Sequence, residues 1–198
     1  DFGWNIECGA VWPERGQNMT VIGYTPIRSF EGCTRENGAV CSYNMLDTQA
    51  DILYTEPQAD MDKVERHGVI VLPFKHALSQ VDFRVKNRVF RNEEIIIKSI
   101  KIDEVKYRGY FTSLPEPRWT TGQDTATLYF FEGSQKTGMN PESIGYSWNV
   151  VPQALKTHVT VEYEYRTSPT TGFTQTRKTC DLETDITPGR HYTYTLSV

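Results

Sequence analysis

With 198 residues and a mass of 22.7 kDa, the chain is long enough to bury a real core, around 70% of the surface its extended form would expose. A net charge of -4, a pI near 5.6 and the lack of any run that interleaves Lys and Arg with aromatics argue against nucleic acid as a partner. No apolar stretch approaches the ~20 residues that span a bilayer, and the amino terminus lacks the basic, apolar and small-residue order of a signal peptide, so a soluble chain is expected, any export signal having been removed.

A hydrophobic share of 38%, a mean hydropathy of -0.52 and an aromatic share of 12%, with many Thr and Val, make strand composition. The reading is all-β. Trp4 and Trp12-Pro13 open a thin first stretch, and alternation over residues 18–24 predicts a short strand stopped by Pro26. Residues 27–46 read as loop. After Asp51-Ile52-Leu53-Tyr54, the polar run 55–66 is the best linker, because its composition cannot bury a face. Asp60 and Asp62 in that run lack the further ligands and the glycine of a calcium loop and read as solvated acids.

The organising stretch is 69–85. Val69 to Leu72 is an unbroken apolar run expected to be buried on both sides, with Pro73 closing it. Val81, Phe83 and Val85 then alternate with Asp82, Arg84 and Lys86, which is the period of a half-buried strand. Further strands are predicted over 94–105, over 107–111 with a break at Gly109, and over 126–131. Trp119 is placed in a Pro- and Gly-flanked loop, and 133–145 in a long polar connection. Later strands are predicted over 146–151, 159–165, 173–182 and 191–198, the turn at Ser168-Pro169-Thr170-Thr171-Gly172 making a hairpin. Short strands parted by turns, with almost no helical period, indicate an antiparallel sandwich.

Cys8, Cys33, Cys41 and Cys180 match no zinc spacing; Cys33 and Cys41 flank a Gly-containing loop and could be bridged or be separate small hydrophobes. No nucleophile elbow, zinc-binding histidine pair or phosphate-cradling loop is present, so neither catalysis nor a cofactor is expected. His76, at the start of the organising strand, could serve as a base but reads as structural. Trp119 and Trp148, the latter beside Tyr146, are the residues to suspect of stacking on sugars, with capping of the sandwich ends as the competing role.

Four segments recur in a known order. Gln49-Ala50-Asp51-Ile52-Leu53-Tyr54, then Leu72-Pro73-Phe74-Lys75-His76-Ala77-Leu78-Ser79-Gln80-Val81-Asp82-Phe83, then Val150-Val151-Pro152-Gln153, and finally Pro188-Gly189-Arg190-His191-Tyr192-Thr193-Tyr194-Thr195-Leu196 resemble the fimbrillin-like proteins of Bacteroidales. The resemblance runs from about Tyr43 to the end, and the region from Trp12-Pro13 to Pro26 is similar to what precedes it. It implies antiparallel transthyretin-like β-sandwiches, mostly of seven-stranded Greek-key type. On that pattern residues 1–67 are the remnant or C-terminal part of a first β-domain plus linker, and residues 68–198 a C-terminal sandwich. It further implies a subunit or adhesin of surface fimbriae on the outer membrane, assembled with other fimbrial subunits by strand addition. Tyr192, Tyr194, Leu196 and Val198, on one face of the last strand, would either complete their own sandwich or be donated. Host or bacterial surface proteins or glycans are the implied ligands, and attachment would use a lipid anchor not carried by this chain, since Ile6-Glu7 before Cys8 is no lipobox. The other reading is a carbohydrate-binding sandwich acting through Trp119 or Trp148.

Overall fold

The computed structural model describes residues 19–61, 70–88 and 93–198. The first strands are β1 (Met19–Val21), β2 (Tyr24–Thr25), β3 (Gly32–Thr34), β4 (Gly38–Asn44), β5 (Leu53–Tyr54) and β6 (Gln58–Met61). There follow β7 (Lys75–His76), β8 (Ser79–Lys86), β9 (Glu94–Lys106), β10 (Arg108–Thr112) and β11 (Arg118–Thr121). The last are β12 (Thr125–Lys136), β13 (Glu142–Val150), β14 (Gln153–Arg166), β15 (Thr174–Ile186) and β16 (His191–Ser197). Among the described residues one 3-10 turn, Ile27–Ser29, is the only helical element, and no helix is long and apolar enough to cross a membrane.

The all-β expectation holds, and the strict alternation of 81–85 is realised in β8. Ser79, Val81, Phe83 and Val85 are buried on one face of it. β8 is the middle strand of a three-stranded sheet ordered β13-β8-β16, which faces a four-stranded sheet ordered β12-β9-β14-β15. Phe83 of β8 meets Phe130 of β12 edge-on, with ring centroids 4.8 Å apart. Around that contact lie Ile97, Ile100 and Ile102 of β9, Leu128 of β12, and Val159 and Val161 of β14, all buried. A spacing of two, interrupted in β9 by a bulge between Ile97 and Ile100, lets every strand contribute one face to a shared apolar layer.

Several expectations are corrected, among them the polar connection over 133–145, whose two ends belong to β12 and β13. Residues 70–74 are not a strand, and Val71 is 76% exposed; Val69 lies outside the described residues. The apolar run packs by side chain instead of pairing, because Leu72 and Phe74 lie against the bare backbone of Gly23, where an added Cβ would sit 3.2 and 3.0 Å from them. Residues 27–46, expected as loop, supply β3 and β4, and β4 buries Ala39, Val40, Cys41 and Tyr43. The run 55–66, expected as linker, supplies β6, which pairs with β1; residues 62–66 lie outside the described residues. Trp119 stands in strand β11 rather than in a loop, and Gly109 lies within β10 without breaking it. A Cβ on Gly109 would come within 2.8 Å of both Trp119 and Val151, so the glycine makes room for the indole.

Pairing also crosses the division expected at 67 and 68. A sheet ordered β11-β10-β4-β3 joins β4 from the first part to β10 from the second, in register from Arg108↔Asn44 to Thr112↔Val40. A smaller sheet, β2-β5-β7, does the same through Leu53↔His76 and Tyr54↔Lys75. The first part therefore has hydrogen-bonded neighbours in the second.

Charged side chains form rungs on the outer face of the four-stranded sheet. Glu94 of β9 accepts from Lys136 of β12 and Arg166 of β14, tying three strands at one end. Those hydrogen bonds, Lys136 first, hold its carboxyl below the ordinary range. The Thr127 hydroxyl and then Lys101 lower Asp103, and Lys98 lowers Glu164.

These placements carry three expected outcomes. Phe83→Ala should cost about 3–5 kcal/mol in urea unfolding, because the ring has no other way to fill the gap opposite Phe130. Gly145 sits at φ +71 in the bulge of β13, where a Cβ would be 1.8 Å from the Phe130 carbonyl oxygen. Gly145→Ala should therefore cost about 2 kcal/mol or more, read as a lower Tm, whereas Gly172→Ala, with nothing within 4 Å, should leave Tm within about a degree or two. A carboxylate whose folded pKa is depressed stabilises the fold above its unfolded pKa of ~4 and loses that contribution as pH falls through the folded value. Stability should thus drop between about pH 5 and pH 2, and Glu94→Gln should flatten that part of the profile while leaving the Lys98 and Glu164 contribution in place.

Candidate functional site

The last strand is the chemically distinctive element. β16 runs parallel to β8, in register from His191↔Gln80 to Ser197↔Lys86, and among the described residues is the end strand of its sheet. All other ladders among the described residues are antiparallel. Parallel pairing requires a long return connection, which β9 through β15 provide. Asp82 Oδ2 and His191 Nε2 lie 2.5 Å apart, and the Val198 N–H donates to the Lys86 carbonyl, so both ends of β16 are tied to β8.

The structure brings Tyr192, Tyr194, Leu196 and Val198 together on the core-facing side of β16, each half-buried against the core cluster. Tyr194 stacks at a tilt on Phe83, with centroids 5.7 Å apart, and burial raises its phenol above the ordinary range. The Tyr192 hydroxyl donates to the Asp185 carbonyl and accepts from the Thr187 N–H, both at 3.0 Å. Tyr192 thereby fastens this edge of one sheet to the end of β15 in the other. Half-burial is the telling feature, because an edge strand has neighbours on one flank only.

Opposite this edge, the inner face of β15 is only partly covered. Residues directly across a ladder share a face, so Thr174, Thr176, Lys178, Cys180, Leu182, Thr184 and Ile186 lie on the same side as Val159 and Val161. Leu182 and Ile186 are buried there, but Thr174, Lys178 and Cys180 are exposed. Among the described residues, the first half of this face of β15 is left uncovered. Sequence reasoning missed this because β15 alternates Thr, Lys and Cys at core-facing positions, which looks like any solvated strand; the apolar residues at its far end were the available signal.

Trp119 and Trp148 are not brought together. The Trp119 indole N–H donates to the Ala77 carbonyl at 2.7 Å, and its ring packs on Phe111 and Tyr43 at 5.3 and 6.3 Å. The Trp148 indole N–H donates to the Tyr129 carbonyl at 2.9 Å, while Tyr146, thrown outward by the bulge of β13, is 75% exposed. His76 Nδ1 lies 2.7 Å from Asp51 Oδ2 on the surface of the small β2-β5-β7 sheet, joining the two strands that pair there. Cys33, Cys41 and Cys180 are free thiols; Cys41 is fully buried, and burial, then Glu31, pushes it up to about 11. Cys8 lies outside the described residues, as do His67 and Asp62. Among the described residues no three His, Cys, Asp or Glu side chains gather as a metal site would need.

Comparison with known proteins places this architecture. The chain is similar in fold to a candidate cell adhesion protein from Bacteroides uniformis ATCC 8492, with 15% identity, a TM-score of 0.62 and coverage of 94% of this chain and 70% of that one. It is also similar to a candidate cell adhesion protein from Bacteroides ovatus ATCC 8483, with 14% identity, a TM-score of 0.52 and coverage of 91% of this chain and 62% of that one. No curated protein matches the sequence. Matched by the fimbrillin-like family model from residue 3 to residue 198, the chain belongs to the fimbrillin-like family.

Proposed function

We propose that the protein is a structural subunit or adhesin of cell-surface fimbriae that joins its neighbours by β-strand addition. Membership of the fimbrillin-like family and the likeness to two candidate cell adhesion proteins support the fimbrial and adhesive role. The observation that carries the assembly mode is the position of β16, which among the described residues is an edge strand paired with β8 alone, with Tyr192, Tyr194, Leu196 and Val198 half-buried. In strand addition, main-chain hydrogen bonds supply the affinity and alternate side chains fill successive pockets. A strand with residues of one face at every second position, bounded by the turn at Pro188-Gly189, has the form of a donor.

The role needs no catalysis. It accounts for an exposed surface organised in ion-paired rungs, since a subunit displayed outside the cell has to resist unfolding without a bound partner on every face. Display at the outer membrane through a lipid anchor outside these residues completes the reading.

The test is made in cells that display the full-length protein. Leu196→Asp with Tyr194→Ser, which spoils the apolar face but keeps the chain length, should abolish surface fibres seen by electron microscopy while subunit still reaches the surface. Fibres of normal length from that double variant, or from a chain ending at residue 188, would overturn the strand-donor assignment.

A further inference from the structure

The outer face of the sheet β11-β10-β4-β3 carries a second, chemically different feature. Three cross-strand rows lie side by side there. The first is Asn44, Arg108 and, next to Arg108, Gly122; the second is Ser42, Tyr110 and Thr120; the third is Val40 and Thr112, both buried, with Arg118 exposed at its end. Tyr110 is 40% exposed, and Ser42, Arg108, Arg118 and Thr120 are exposed around it. The ring is thus flanked by two short hydroxyl side chains in its own row and by one guanidinium in each neighbouring row. Gly122 contributes no side chain, and the surface is hollowed into an open depression of about 410 Å³.

Charge is the informative property. No carboxylate occupies any of the three rows, although the chain as a whole carries -4. Neither Arg108 nor Arg118 pairs with a carboxylate among the described residues. Arg108 is held over the Tyr107 ring at 5.0 Å, which orders the guanidinium without neutralising it. The nearest acid in the hydrogen-bond network is at one corner, where Asn44 donates to Asp47 at 2.6 Å and accepts from the Leu46 N–H. That corner is occupied by its own contacts. In the third row the Thr112 hydroxyl is buried and has no hydrogen-bond partner.

We infer that this face binds an acidic saccharide, a sugar bearing a carboxylate. The chemistry of each group fits. A guanidinium presents a fork of N–H donors matched to a carboxylate. The Ser42 and Thr120 hydroxyls can both donate to and accept from sugar hydroxyls. The exposed Tyr110 ring offers an apolar plane for the C–H face of a pyranose, with a polar tip beyond it. An acidic peptide fits less well, because extended peptides are held by main-chain bonding at a sheet edge, and β10 is already bonded on both flanks by β4 and β11. Nucleic acid would need a longer track of cations than two arginines. The site is separate from β16, which belongs to another sheet, so the inference stands or falls independently of strand donation.

The test is calorimetric titration of the full chain with a galacturonic acid oligosaccharide, with the neutral galactose oligosaccharide of equal length, with a glutamate-rich peptide and with acetate. Saturable binding of the acidic sugar alone is expected, weakened at least tenfold by each of Arg108→Gln, Arg118→Gln and Tyr110→Ala and unchanged by Leu196→Asp, while melting temperatures of the three surface variants stay at the wild-type value. Three outcomes would overturn it: no saturable binding of the acidic sugar, equal binding of the neutral sugar or the peptide, or binding that survives all three substitutions.

Discussion

The contact on which the sandwich depends is between Phe83 and Phe130. One ring comes from the middle strand of the three-stranded sheet and the other from an edge strand of the four-stranded sheet, so their T-shaped packing sets the distance between the two layers. Everything buried around them follows that spacing, including the isoleucines of β9 and the valines of β14. Gly145 answers to the same contact from behind. The backbone of Phe130 comes so close to it that no side chain fits, and the bulge of β13 that results throws Tyr146 outward.

The three-stranded sheet has one strand fewer than the four-stranded one, and this mismatch makes the two flanks of the molecule unlike. On the β12 and β13 flank, consecutive strands pass from one sheet to the other, and Gln135 donates across to the Ser143 carbonyl. On the β15 and β16 flank, the Tyr192 hydroxyl makes the closure, and among the described residues the inner face of β15 at Thr174, Lys178 and Cys180 is left exposed. A closed flank contributes stability; an edge strand presents unpaired backbone groups, the feature on which the proposed strand addition rests. The second surface, around Tyr110, follows a different logic. It centres on β10, whose backbone is paired on both flanks, so the proposed recognition there rests on side chains.

Much of the fold was legible in the chain. Strict alternation in 81–85 and 159–165 predicted β8 and β14, and the closing tyrosine-rich run predicted β16, because a half-buried strand must alternate. The short strands were harder. β4 buries residues from both faces, so its alternation is blurred and it reads as loop. The apolar run before Pro73 looked like a buried strand, yet it packs over Gly23 without joining a ladder, and composition cannot tell these apart.

The sequence by itself determined the all-β class, the positions of β8, β9, β14, β15 and β16, and the family pattern carried by the Asp51 to Tyr54, Leu72 to Phe83, Val150 to Gln153 and Pro188 to Leu196 segments. These are local properties, written in the period of side chains along a few residues. Only the tertiary structure decided that β16 lies parallel to β8 at an edge, that β4 joins β10 across the expected division, and that Arg108, Tyr110 and Arg118 share one face. Sheet order and register depend on partners far away in the chain, and alternation says which way a side chain points without saying what it meets.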